Sequence, residues 1–79
     1  MMTYPALSKG CYGSYVKYAQ ELLMGAGFML QNFGPDGKFG EETSSQISMF
    51  QKRHRLNPTG EVDQATWDEL LKYDTFKLG

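Results

Sequence analysis

Apolar positions along the chain fall into three stretches of helical spacing, separated by glycine-rich polar connections. Val16, Ala19, Leu23 and Ala26 recur at i, i+3, i+7 and i+10, one face of a helix, and Leu22 widens the stripe. Lys17 and Glu21, four apart, fall on the solvated side. Gly10 and Gly13 mark the turn before this stretch, Ser14 is the expected N-cap, and Gly27 is the expected left-handed residue past its end. A second stretch starts at Glu41, with Thr43, Ile47, Phe50 and His54 on one face. Glu41 and Glu42 stand in its first turn and Lys52 to Arg55 in its last, the charge order that a helix dipole favours. Asn57-Pro58 ends it. The third starts at Gln64, capped by Asp63, and carries Thr66, Trp67, Leu70 and Leu71, with Tyr73 and Phe76 closing its far end. The predicted helices cover about 14–26, 41–54 and 64–73 of a single domain, 1–79. "FMLQNFGPDGKFG" reads as an ordered loop, and no stretch alternates convincingly with period two.

Two octets repeat one phrase. "DGKFGEET" (36–43) and "TGEVDQAT" (59–66) align at Gly37/Gly60, Phe39/Val62 and Thr43/Thr66 with a period of 23. Such a pair is either a binding loop used twice or a device that starts two helices. The residue types favour the second. Each glycine suits a turn with positive φ, each apolar residue sits where it can staple a helix entrance, and each threonine falls near N3, where its hydroxyl can bond back. Gln20 and Gln51 follow core positions and are expected to hydrogen-bond loop backbone.

Composition narrows the function. Eight basic and nine acidic side chains give a net charge of −1, which argues against nucleic-acid binding by counterion release. One Cys and one His, with no C-x-x-C or H-E-x-x-H, provide no ordinary zinc site, and no cofactor is expected. Cys11 reads as a small apolar filler. No apolar run approaches the roughly 20 residues of a membrane span, so no membrane insertion is expected. "MMTYPALSKG" has no signal-peptide pattern; a fragment, a product released by phage lysis or an unknown export route is the expectation if the protein works outside the cell.

With "VKYAQELL", "DGKFGEETSSQISMFQ" and "TGEVDQATWDEL" in view, the chain resembles the small peptidoglycan-binding domain family of cell-wall hydrolases and phage endolysins. That pattern runs V-x-x-L-Q-x-x-L, D-G-x-F-G-x-x-T-x-x-A-V-x-x-F-Q, then D-G-x-V-G-x-x-T-W-x-x-L, and the match runs from about Leu7 to Leu71. Ala19, Gln46, Thr59 and Asp63 depart from it, replacing a leucine, a small apolar residue, an aspartate and a glycine. The resemblance implies an all-α fold, a small orthogonal three-helix bundle with ordered Gly-rich loops (PGBD-like). It also implies non-catalytic binding of bacterial peptidoglycan that anchors a linked or partner lytic enzyme at the cell wall or outside the cell. The alternative is a structural or protein–protein interaction module that keeps the fold without wall binding. Kinship with metalloprotease propeptides, which silence a zinc through a cysteine after the helices, does not carry over, because Cys11 precedes the first helix.

Peptidoglycan presents sugar rings with apolar faces and stem peptides with amides and carboxylates. Aromatic faces suit the former, and cations or backbone donors the latter. The expected contacts are therefore Tyr12, Tyr15, Phe33, Asp36 and Lys38, with Tyr18 able to join Tyr15. Arg53 and Arg55 form a second candidate patch, suited to stem-peptide carboxylates or wall-polymer phosphates. Trp67 reads as core. No catalytic pair is apparent, since Asp36, Asp63, Asp68 and Glu69 are absorbed by turns, caps and a solvated face.

Overall fold

The computed structural model describes residues 4–31 and 34–74, so Phe33 and Phe76 lie outside the described residues. Three helices follow in order, α1 (Ser14–Gly25), α2 (Glu41–Arg53) and α3 (Gln64–Leu71), and α1 packs on both of the others. No strand forms among the described residues. Two isolated antiparallel bridges, Leu7 with Val62 and Tyr12 with Lys38, tie the entrance segment to the loops before α3 and α2.

The helix ends show how local chemistry sets the boundaries. Ser14 is not the cap of α1; it is the first helical residue, and Gly13 stands at the cap. The reason is backbone pairing. The Gly13 N–H donates to the Gly37 carbonyl at 2.9 Å, and Gly13 has φ of 123°, a conformation that a side chain at this position would resist. At the other end the Gly27 N–H reaches Met24 O and the Phe28 N–H reaches Leu23 O, a Schellman closure around a left-handed glycine. α2 closes in the same way, Arg55 N–H on Lys52 O and Leu56 N–H on Gln51 O, but the left-handed residue is Arg55, with φ of 62°. α3 is capped as expected, the Asp63 carboxylate accepting from the Thr66 N–H at 2.9 Å.

The core is the apolar stripe of each helix closed by the loop residues just before α2 and α3. Val16, Leu23, Ile47, Phe50 and Leu70 are buried with Phe39 and Val62, the two residues that precede the caps. Trp67 is fully buried and donates its indole N–H to the Pro5 carbonyl at 2.8 Å. Tyr4 stacks on it at 4.6 Å between ring centroids, and Tyr18 at 5.9 Å. The Tyr18 hydroxyl donates to the Asp74 carboxylate; burial, then that carboxylate, push its pKa upward, so it remains a donor. His54 stacks on Phe50 at 4.2 Å and places one ring nitrogen 3.1 Å from Glu69 and the other 3.1 Å from the Tyr73 hydroxyl.

The repeat is structural and extends beyond the octets. Gln20 is buried at the end of Val16-x-x-Ala19-Gln20, and Gln51 at the end of Ile47-x-x-Phe50-Gln51. The Gln20 amide accepts from the Gly37 N–H at 2.8 Å and donates to Lys38 O and Thr43 Oγ1, both at 3.0 Å. The Gln51 amide accepts from the Gly60 N–H at 2.9 Å and donates to Glu61 O at 2.7 Å and Thr66 Oγ1 at 2.9 Å. Each glutamine thus clamps a left-handed glycine, the next carbonyl and the N3 threonine of the following helix. The departure at Thr59 is chemically neutral: its hydroxyl accepts from the Glu61 N–H as the Asp36 carboxylate accepts from the Lys38 N–H.

Candidate functional site

The first copy of the repeat carries an open groove. Tyr12, Gly13 and Ser14 from the α1 entrance, Lys17 one turn on, and Asp36, Gly37 and Lys38 from the clamped loop line a space of about 420 Å³. The Tyr12–Lys38 bridge and the Gly13–Gly37 hydrogen bond hold the two walls together, so the groove is built on paired backbone. Tyr12 is 82% exposed and presents its ring to solvent at the rim.

Asp36 has a fixed place in this wall. Its carboxylate accepts the Lys38 N–H at 2.9 Å and faces the Gln20 amide at 3.4 Å. The Lys38 N–H above all holds its carboxyl below the usual carboxylate range, keeping it ionised. A second space, of about 280 Å³, lies on the other side of the same loop, between Asp36 and Lys38 and the α2 entrance residues Gly40 to Thr43. Asp36 and Lys38 form the ridge between the two.

Tyr12, Asp36 and Lys38 therefore come together as the sequence suggests, and Tyr15 does not join them. It is 47% exposed, but its ring stands edge-on to Tyr4 at 5.9 Å and to Trp67 at 6.4 Å, and it lines neither space. Tyr18 is likewise taken up by the Trp67 cluster. Phe33 lies outside the described residues. Sequence reasoning missed Lys17, assigned to a merely solvated face; its position one turn after Gly13 was the available signal.

The second candidate patch divides. Arg53 lays its guanidinium over the Phe28 ring at 5.4 Å and, with Met49 and Lys52, lines a shallow space of about 400 Å³. Arg55 is the exposed left-handed residue that closes α2.

Among the described residues, the second copy of the repeat differs at this point. Ser44 occupies the α2 position that Gly13 occupies before α1, and its hydroxyl donates to the Gly60 carbonyl at 3.1 Å. A Cβ on Gly60 would stand 2.7 Å from Ser44 Oγ and 3.4 Å from Ser44 O; a Cβ on Gly37 would stand 3.4 Å from Gly13 O. The second glycine turn thus packs against a side chain, Ser44, where the first faces only the Gly13 backbone and the Lys17 Cβ.

Residues 12–70 match the model of the family described as "Putative peptidoglycan binding domain". A "Probable N-acetylmuramoyl-L-alanine amidase" of Bacillus licheniformis is 41% identical over 73 residues, which cover 92% of this chain and 21% of the amidase. A crystal structure of a peptidoglycan-binding protein from Clostridioides difficile, in complex with glutamine hydroxamate, is 36% identical with a TM-score of 0.80, covering 89% of this chain and 42% of that one. The SleB N-terminal domain is 26% identical with a TM-score of 0.81, covering 91% of this chain and 96% of that one. The chain thus spans about a fifth of the length of the amidase and less than half of the clostridial protein.

Proposed function

The chain belongs to the peptidoglycan-binding domain family, and from that premise we propose that it anchors a linked or partner cell-wall hydrolase to peptidoglycan and contributes binding without catalysis. An amidase is the favoured partner, because the Bacillus relative is one. The place of action on this reading is the cell wall or the extracellular side.

The observation that carries the reading is the groove beside the first octet, where an exposed aromatic ring and charged groups stand on a rigid, hydrogen-bonded wall. We assign Tyr12, Asp36 and Lys38 to wall contact, with Lys17 added. Asp36 serves mainly to hold the loop, since its carboxylate is already engaged by backbone and Gln20. The carboxylates speak for binding over hydrolysis: Asp63 caps α3 and Glu69 pairs with Lys72 and His54, so among the described residues each is engaged in holding the fold. A tethered weak binder raises the local concentration of an enzyme on a polymeric substrate, and this role needs no chemistry of its own.

Retention on purified, protein-free sacculi at low salt tests the proposal. We expect the chain to sediment with sacculi and to leave their turbidity unchanged. Failure to sediment overturns the binding role, and clearing of the suspension by the chain alone overturns the non-catalytic one.

A further inference from the structure

The two spaces flanking the Asp36–Lys38 ridge carry opposite charge. On the α1 side stand Lys17 and Lys38 with Tyr12; neither lysine is held in an ion pair among the described residues, and α1 has no acidic residue in its first turn. Asp36, the one carboxylate among the described residues lining this side, is engaged by the Lys38 N–H. On the α2 side Glu41 and Glu42 stand beside the shared Asp36 and Lys38, whose charges offset each other, with the exposed Lys9 reaching Glu41 at 3.1 Å. A positive half and a negative half thus meet at one ridge of backbone that Gln20 holds fixed.

We propose that this ridge recognises the stem peptide of peptidoglycan as a dipolar ligand, with a peptide carboxylate on the Lys17/Lys38 side and the side-chain amine of its diamino acid on the Glu41/Glu42 side. The assignment rests on the wall-binding reading above and names the moiety that is held. Charge complementarity separates the candidates. A neutral glycan strand gains nothing from a paired positive and negative groove. A polyphosphate wall polymer is drawn to the lysines and repelled by Glu41 and Glu42 within the same footprint. A peptide that carries both an anion and a cation satisfies both halves, and Tyr12 at the rim covers its apolar backbone face. At the second octet Ser44 stands against Gly60, and Thr59 and Glu61 take the places of Asp36 and Lys38, so the same pair of charges is not repeated there.

Amide-shift titration of the full chain tests the assignment, with sacculus retention measured on the same samples. The probes are a stem tetrapeptide ending in a free carboxylate, the same peptide with its side-chain amine acetylated, the same peptide with a C-terminal amide, chitotetraose, and polyglycerol phosphate. The tetrapeptide is expected to shift amides in both 12–17 and 36–43, and each blocked form to bind about two- to fivefold more weakly, the size of one exposed ion pair. Lys17→Gln is expected to abolish the cost of the C-terminal amide and to keep the cost of acetylation; Glu42→Gln is expected to do the reverse. Equal binding of free and blocked peptides, or stronger shifts of these amides by chitotetraose or polyglycerol phosphate, overturns the assignment. Retention on sacculi together with silence toward the peptide removes the stem-peptide inference alone. Absence of retention removes the wall-binding reading with it.

Discussion

Gln20 and Gln51 are equivalent clamps in the two halves of the domain. Each buried amide takes the N–H of a left-handed glycine, 2.8 Å at Gly37 and 2.9 Å at Gly60, and gives its own hydrogens to a loop carbonyl and a helix-entry threonine. Replacing Gln51 with leucine leaves the Gly60 N–H and the Glu61 carbonyl without their partner inside the fold. The expected loss is about 3 kcal/mol, the scale for stranding buried polar groups. A urea melt reads it, and a loss below about 1 kcal/mol contradicts the clamp.

The two clamped glycines differ in what surrounds them. Gly37→Ala meets the cost of a positive φ, on the order of 1–2 kcal/mol. Gly60→Ala meets the same cost and in addition places a methyl 2.7 Å from the Ser44 hydroxyl. Gly60→Ala should be the more damaging, and adding Ser44→Ala should recover part of the difference. Thermal midpoints of the four proteins check the order.

Arg55 holds a left-handed conformation that closes α2, where glycine has no Cβ to strain. Arg55→Gly is expected to raise stability by about 1 kcal/mol. Sacculus retention measured on the same variant separates structure from contact: retention that falls while stability rises identifies Arg55 as a wall contact.

Asp63 caps α3 through the Thr66 N–H, and chiefly that bond holds its pKa below the ordinary value. Because the folded value lies below the unfolded one, this stabilisation is present at neutral pH and disappears as pH falls through the acid range toward the folded value. Asp36 and Glu69 are lowered as well, and their contributions run in the same direction. Asp63→Asn should retain most of the cap at pH 7 and flatten the acid limb of the stability curve. Asp63→Ala should cost about 1 kcal/mol at neutral pH. Chemical melts between about pH 3 and pH 7 check both.

Tyr12 offers a clean separation of folding from binding. Its ring is 82% exposed, so Tyr12→Ala should leave the melting midpoint nearly unchanged, within about 0.5 kcal/mol, and weaken sacculus retention. Tyr15→Ala should do the opposite, since that ring packs on Tyr4 and the Trp67 cluster. Parallel melts and pull-downs decide.

The three-helix architecture was legible because periodicity and punctuation agree along the chain. The apolar stripes at Val16, Ile47 and Leu70 face one core, and Asp63 caps as its side chain dictates. Gln20 and Gln51 were readable as loop-satisfying residues because a buried amide beside short glycine turns has few other partners. The α1 cap was misread because Ser14 is the better capping side chain in isolation, and only the pairing of Gly13 with Gly37 places the helix start one residue earlier. Site residues were harder. The sequence puts Tyr12 and Tyr15 three apart, but not that one faces solvent and the other turns toward Tyr4 and Trp67. Lys17 stands one turn after Gly13, a position that gains meaning once the Gly37 turn is brought against α1.

The entrance segment lies against the last helix: Leu7 exchanges both backbone hydrogen bonds with Val62, and Pro5 accepts from Trp67. Two similar half-units can behave as a short array in which one survives the loss of the other. Here the second unit is completed by residues that precede the first, so neither owns a closed core. The duplication is therefore one of form and not of autonomy. The domain should melt in a single concerted step, and its folding should wait on the slow meeting of distant ends rather than on either repeat.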